Sequence, residues 1–374
     1  MKYIKELDSI RAIAVLSVIV SHWVTIRNPF INKLLHYCGP IGVDIFFVLS
    51  GFLITWILFE NCKKILNKTV ERGSVLKNFY IRRTLRIFPI YYLVIFVLLF
   101  IKDITGTQIG TSYPYYLTYT SNYYSFSTGH FDGILSHMWS LAVEEQFYLI
   151  WPSLMLFVNT RYLIYVIYAF IGVGITSQLL LLNNNMGTVL TMTCFDSFGL
   201  GALLAWYLVF RPDAVGWFYK RVRVAAIITL PVFVFGLIQN IWPVMPLIRT
   251  IVSVLTLFII SYILYKKQTS GQLAFNFIWS NRVLIFIGKI SYGIYLYHNL
   301  IPHFTNRALE NIFHVTAANM LPLKMGYVLM IGINATLVIT ISWFSWLIIE
   351  KPILGLKKYF EYDSPKIKLN APSI

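Results

Sequence analysis

The stretch IGVDIFFVLSGFLITWILFE, residues 41–60, is mainly apolar and charged only at Asp44 near its start and Glu60 at its end. A helix needs roughly 20 mainly apolar residues to cross the hydrocarbon of a bilayer. Strands in soluble domains are far shorter, so this run predicts a membrane span. Further runs bounded by charge, Pro, Gly and Asn predict more spans, near 10–26, 87–102, 135–158, 162–182, 188–210, 224–241, 247–265, 283–302 and 325–349. The expected fold is therefore all-α, a polytopic membrane helix bundle of about ten transmembrane helices. It occupies residues 1–352 as one membrane domain, and 353–374 form a short cytoplasmic tail.

Composition agrees. The chain is 57% hydrophobic and 12% charged, against about 25% charged in soluble domains, which excludes a soluble enzyme with a large core. Aromatics at 17% suit belts at two lipid–water interfaces. Cys38, Cys62 and Cys194 form no C-x-x-C pair, so they read as ordinary apolar residues, with neither a disulfide framework nor a metal site expected. The first run carries His22 and lacks a small-residue cleavage site, so it is expected to be a retained helix, not a signal peptide.

A net charge of +16 raises the question of nucleic acid, but the basic residues lie between apolar runs and form no single patch. They read instead as topology signals. With the N-terminus inside, only Arg27, Lys33, Lys102, Arg249, Arg307 and Lys324 fall outside and Lys289 within a span, out of 31 lysines and arginines. That asymmetry places both ends in the cytoplasm.

An ionisable group at the bilayer centre costs about 2.5–3.5 kcal/mol on insertion scales and is expected to face the bundle interior. Here these groups are His22, Asp44, Glu144, Glu145, Asp196, Lys289 and His298. The 1.5 Å rise puts His22 about 18 Å from the inner edge of its span and Glu144 about 14 Å from the outer edge of its own. In a core about 30 Å thick these depths nearly coincide. Arg11 and His22 fall within about 20° on one helical face, roughly 16 Å apart. His137, Ser140, Glu144 and Tyr148 form another stripe, and Ser291, Tyr295 and His298 a third. A lone histidine in a span usually makes a structural hydrogen bond. With Arg11 on its face and acids at its depth, His22 is expected to be a base oriented by a carboxylate, deprotonating an alcohol for attack on an activated carbonyl. Glu144, Glu145 and Asp44 are the catalytic acids considered. Asp44 and Asp196 are equally readable as helix-pairing groups.

Two further clusters stand out. Arg82, Arg83 and Arg86 in IRRTLRIFPIYY precede the third span. Positive-inside topology needs Lys or Arg without preferring Arg, so three arginines against the membrane favour forked recognition of phosphate. A diphosphate such as that of coenzyme A fits this cluster together with Arg11. The outer loop 103–134 has many tyrosines and no Lys or Arg after Lys102. Tyr115, Tyr119 and Tyr123, with His298, are candidate acceptor contacts, against the plainer reading of an interfacial aromatic belt.

At these residues the chain resembles acyltransferase family 3, polytopic membrane acyltransferases of bacterial surface polysaccharides. The matching stretches are LDSIRAIAVLSVIVSHW (7–23), IGVDIFFVLSGFLIT (41–55), RRTLRIFPIYYL (82–93) and MWSLAVEEQFYLIWP (138–152). FDSFGLGALLAW (195–206), GKISYGIYLYH (288–298) and IEKP (349–352) match more loosely. The resemblance implies a ten-helix core in the bacterial inner membrane. It would take an acyl group, most often acetyl, from cytoplasmic acyl-CoA to a hydroxyl of a lipid-linked or nascent glycan, such as O-antigen or exopolysaccharide. Matched residue by residue, it implicates Arg11, His22, Arg82, Arg83, Arg86, Glu144 and Glu145. Acyl-CoA is then a co-substrate, and no resident cofactor or metal is expected. Three positions depart from the pattern: Ser9 stands for a usual Gly, Ala142 for a usual Ser, and Cys194 and Phe195 occupy the place where an arginine commonly precedes the Asp196 position. Some relatives carry an extra hydrolase-like outer domain, and none is expected in this chain. The rival class is a multipass glycan transporter or flippase. Such proteins often show paired repeats, and no internal repeat is legible here.

Overall fold

The computed structural model describes residues 3–105, 110–239, 247–313 and 325–362, and every regular element among them is helical. The long helices are α1 (Lys5–Trp23), α2 (Pro29–Leu66) and α3 (Arg72–Thr105). Two short ones follow, α4 (Tyr113–Leu117) and α5 (Ser121–Thr128), then a 3-10 turn at Gly133–Met138. Next come α6 (Trp139–Phe157), α7 (Leu163–Leu180), α8 (Phe195–Phe210), α9 (Val215–Ile238) and α10 (Ile248–Gln268). The last part holds α11 (Asn276–Trp279), α12 (Arg282–Lys289), α13 (Ser291–Tyr297), α14 (Leu300–Phe313), α15 (Met325–Ser345) and α16 (Lys351–Gly355).

Seven helical stretches are long and apolar enough to cross a membrane, and they coincide with the second, third, fifth to eighth and tenth expected spans. The chain is an all-α, multi-pass membrane bundle. The three expected spans that fall short are those carrying His22, the Glu144–Glu145 pair and His298. α1 bears Lys5, Glu6, Asp8 and Arg11 in its first two turns, and α6 is interrupted by two glutamates. The ninth expected span is not continuous but breaks into α12, α13 and α14. Polar residues that line an interior site lower the apolarity of the helices that carry them.

Helix ends also differ from the expected edges. α2 runs for 38 residues, about 57 Å at the α-helical rise, so its polar ends leave the lipid without ending the helix. Asn28 caps its start by accepting from the Phe30 and Ile31 amides, with Pro29 at the first helical position. α3 begins at Arg72, which places Arg82, Arg83 and Arg86 within the helix and not before it. Residues 240 and 241 of the seventh expected span, residues 106–109 of the outer loop and tail residues 363–374 lie outside the described residues. So do the side chains of Lys102, Arg307 and Lys324.

α2 is central, packed against α1 on one side and α8 on the other. The α2–α8 contact is close because glycines face backbone from both helices. A Cβ on Gly51 would sit 2.1 Å from the Phe198 carbonyl oxygen, and one on Gly201 the same distance from that of Val48. Small residues that let backbones meet are a favoured way to pack helices in lipid. α1 is held on its other flank by α12 and α11, and at the end of α11 the Trp279 carbonyl accepts from Ser9 Oγ at 2.9 Å. The hydroxyl at the position that departs from the family's glycine thus has a structural partner.

Candidate active site

The site is built at the break between α13 and α14. Pro302 has no N–H to donate back to the His298 carbonyl four residues earlier, so the helix cannot continue through this point. The freed carbonyl is taken by the indole of Trp23, whose Nε1 donates to it at 2.9 Å. Tyr327 OH in turn donates to the Trp23 carbonyl at 2.7 Å, fixing the end of α1. One residue earlier, His22 is thereby set against His298. Their rings lie with centroids 4.9 Å apart and planes 14° from parallel, nearly edge to edge.

Three histidines meet here. His22 Nδ1 lies 2.8 Å from His298 Nε2 and 3.0 Å from Asn299 Oδ1. His298 Nδ1 lies 2.6 Å from the Tyr295 carbonyl. His137, on the 3-10 turn before α6, places Nε2 3.3 Å from the Leu296 carbonyl and Nδ1 3.1 Å from Asn299 Nδ2. Carbonyl oxygens only accept, so His298 carries its proton on Nδ1 and His137 on Nε2. His298 Nε2 must then accept from His22 Nδ1–H, and Asn299 donates to His137 while accepting from His22. Each ring nitrogen inside the cluster has one assignment, made from the network. The nitrogen left as an acceptor is His22 Nε2. His137 and His298 are buried, whereas His22 is exposed at the edge of the cluster.

No carboxylate hydrogen-bonds His22 among the described residues, contrary to the expected pairing. His137 shares the His22 layer through Asn299, and Glu144 lies seven residues further along, about 10 Å deeper. Glu144 accepts from Ser50 Oγ and Tyr148 OH. It lines a cavity of about 260 Å³ with Glu145, Ser140, Arg11, Arg83 and Arg86, closed by apolar residues of α2 such as Phe47, Leu53 and Ile54. One Glu145 carboxylate oxygen is buried with no hydrogen-bond partner among the described residues. At the end nearest the histidines the wall is Ser140 and Tyr295, their hydroxyls 2.5 Å apart. Both hydroxyl oxygens also lie 3.1 Å from the His137 carbonyl, so that of their two protons one joins the hydroxyls and the other goes to that carbonyl. The stripe Ser140, Glu144, Tyr148 faces this cavity as its spacing predicts.

At its other end the cavity shares Ile57, Arg83 and Arg86 with a second one of about 420 Å³, lined also by Glu60, Lys64, Arg82, Lys357 and Tyr362. Cations thus outnumber the single carboxylate at this mouth. The arginines are not equivalent. Arg82 donates to the Lys357 carbonyl at 2.9 Å and the Phe360 carbonyl at 3.3 Å, tying down the segment after α16. Arg83 lies over the rings of Phe79 and Tyr148. Arg86 makes no hydrogen bond among the described residues and is open to a ligand. Arg11 is paired with Asp8 at 2.5 Å.

Other expected site residues are placed elsewhere. Asp44 does not enter the cavity. It forms a buried ion pair with Arg249 Nε at 2.7 Å. Arg249, which reads as an outer-loop charge in the sequence, also donates to Cys194 Sγ at 2.9 Å and to the Thr193 carbonyl at 3.1 Å. A guanidinium from α10 therefore reaches the segment just before Asp196. Asp196 accepts from Thr250 Oγ1 at 2.6 Å. Tyr119 is buried, stacked on Tyr91 with centroids 4.2 Å apart, whereas Tyr115 and Tyr123 are exposed. The four expected acceptor contacts are thus split into two buried residues, Tyr119 and His298, and two surface ones. Asn299 was not foreseen; its signal is a polar pair, His298–Asn299, followed closely by proline within an apolar run.

Comparison with known proteins adds the family. Residues 4–350 match the acyltransferase domain family. The chain belongs to that family. A protein of Staphylococcus aureus (strain COL), provisionally named an O-acetyltransferase, is 31% identical over 324 residues, covering 80% of this chain and 50% of its own. The peptidoglycan O-acetyltransferase OatA of Listeria monocytogenes is 37% identical over 171 residues, 41% of this chain and 24% of that protein. This acyltransferase-family chain spans about half the length of the first curated relatives it matches. No solved structure matches it.

Proposed function

We propose that the protein is a membrane O-acyltransferase that takes an acyl group, acetyl in the first instance, from acyl-CoA and passes it to a hydroxyl of a surface carbohydrate. The basic mouth faces the cytoplasm of a bacterial cell, in keeping with the positive-inside rule, and the histidine layer lies toward the outer side of the inner membrane. The observation that carries this reading is the order of environments. A cationic mouth adjoins a mainly apolar cavity, whose wall at Ser140 and Tyr295 contacts the His137 carbonyl at the edge of the histidine cluster.

Each part suits one portion of the donor. Arg83, Arg86, Lys64 and Lys357 would hold the phosphates, with Arg86 the least engaged. The apolar neck suits the pantetheine arm. At its end the thioester carbonyl approaches the His22 layer. His22 Nε2 takes the proton from the acceptor hydroxyl as that oxygen attacks the carbonyl. The C–O bond forms, the C–S bond breaks, and the imidazolium returns its proton to the departing thiolate. The products are an ester and free coenzyme A, with no proton left over. The acceptor class is proposed from the relatives named as peptidoglycan O-acetyltransferases; a lipid-linked glycan is the form that reaches a site within the membrane.

The test uses purified protein in detergent with radiolabelled acetyl-CoA and glycan acceptor. The parent protein should transfer label, and His22→Ala should abolish transfer while remaining monodisperse. Retained transfer by His22→Ala would remove His22 from the chemistry. A glycan transporter or flippase would move acceptor between leaflets and ignore acetyl-CoA, and that outcome would replace the enzyme reading.

A further inference from the structure

The cluster beyond His22 is more elaborate than a base requires. His298 is fully buried, makes both of its ring-nitrogen contacts within the protein and has no nitrogen left for a substrate. Asn299 uses one amide to bridge two histidines. Both residues exist in this geometry because Pro302 breaks the helix and Trp23 caps the break. We propose that His298 and Asn299 are positioning residues, which lock His22 in the Nδ1–H tautomer and aim Nε2 at the acceptor hydroxyl. The proposal rests on His22 being the base.

The logic is that of an orienting carboxylate carried out by neutral groups. In a serine-hydrolase triad, a buried acid holds the imidazole in one tautomer and stabilises the imidazolium. Here the acceptor facing His22 Nδ1–H is an imidazole nitrogen, whose own proton is committed to the Tyr295 carbonyl. Asn299 supplies a second acceptor oxygen. Its orientation is set in turn by donating to His137 Nδ1, whose Nε2–H is held by the Leu296 carbonyl. Two backbone carbonyls of α13 thus determine the protonation pattern of three rings. His298 and His137 are buried, so reversing the contact that either ring makes to a carbonyl of α13 would leave a buried polar atom unpaired. When His22 takes up a proton during transfer, the amide oxygen and the His298 lone pair both stabilise the charge without a buried carboxylate to desolvate.

The first measurement is the His22 tautomer, read from imidazole nitrogen chemical shifts of protein labelled in histidine and assigned through single variants. The parent should show the Nδ1–H form, and His298→Ala should show a mixture. In transfer assays His298→Ala should lower kcat by about 100-fold or more, the scale of general-base catalysis, with KM for acetyl-CoA within about twofold. His298→Gln keeps an acceptor facing His22 and a donor for the Tyr295 carbonyl, and should recover at least about tenfold of that loss. Adding His298→Ala to His22→Ala should cost nothing further, because residues that act as a unit are not additive.

Several outcomes overturn the assignment. If His298→Gln is as inactive as His298→Ala while both keep the parental His22 tautomer, His298 takes a proton itself and is not a positioning residue. Full activity of His298→Ala would equally end the proposal. The underlying reading fails separately, through activity of His22→Ala alone. Asn299→Leu serves as an independent variant if His298→Ala does not fold; it should also lower kcat and loosen the tautomer, and an unchanged His22 tautomer there counts against the bridge.

Discussion

The guanidinium of Arg249 is buried with Asp44, Cys194 and the Thr193 carbonyl as partners. Removing one member of such a pair leaves the other charge buried and uncompensated, which costs about 3–5 kcal/mol, while replacing both with apolar groups is often neutral. Arg249→Met should therefore lower the unfolding temperature in detergent sharply, and Asp44→Leu combined with Arg249→Met should recover most of the loss. If the double variant is as unstable as the single one, the pair is not the feature that matters. Along the chain Asp44 is readable as a helix-pairing group, but its partner is not. Asp44 could be seen to lie in a span, and Arg249 near the start of another, but an ion pair across 205 positions is a property of packing. His22 was legible because its spacing from Arg11 and its place in an apolar run needed only one helix.

Helices as units show the same division. The α2–α8 contact depends on Gly51 and Gly201, each against backbone of the other helix. A methyl group there has no soft neighbour to displace, and overpacking of this kind costs typically about 1–3 kcal/mol. Gly51→Ala should lower thermal stability in detergent by that order, whereas Gly172→Ala, which meets open space, should leave it unchanged. Equal effects at both positions would deny the close approach. The apolar runs of α2, α7, α8 and α10 were readable from composition, since lipid imposes length and apolarity on anything that crosses it. The ninth expected span was misread as continuous. Pro302 stood near its end and passed for a terminator, when its effect is to free the His298 carbonyl for Trp23.

The assembled bundle places the basic mouth, the apolar cavity and the histidine layer in one order. If the mouth binds donor phosphates, Arg83→Ala with Arg86→Ala should raise KM for acetyl-CoA by about tenfold or more, since charge-assisted hydrogen bonds are worth about 1.5–3 kcal/mol each. The kcat at saturating donor should change far less, because these side chains lie away from the reacting carbonyl. Protease accessibility of the loops should be unaltered. Unchanged KM would reduce the cluster to an orientation signal. Arg82→Ala should act differently, loosening the segment at 357–360 that it holds. Sequence placed all three arginines in one role, because residues four apart share a helical face whatever lies opposite.

What the sequence determined by itself was the solvent and the family. A chain this apolar must fold in lipid, its few ionisable residues must turn inward, and seven of ten spans follow from length and hydropathy alone. What only the tertiary structure decided was which inward residues meet. Depth counted along separate helices cannot fix relative offset, so Glu144 and His22 seemed level until His137 and Asn299 were found between them. Helix register is set by glycine contacts, caps and one proline, each acting between elements far apart in the chain, and register is what joins a histidine to another histidine instead of to an acid.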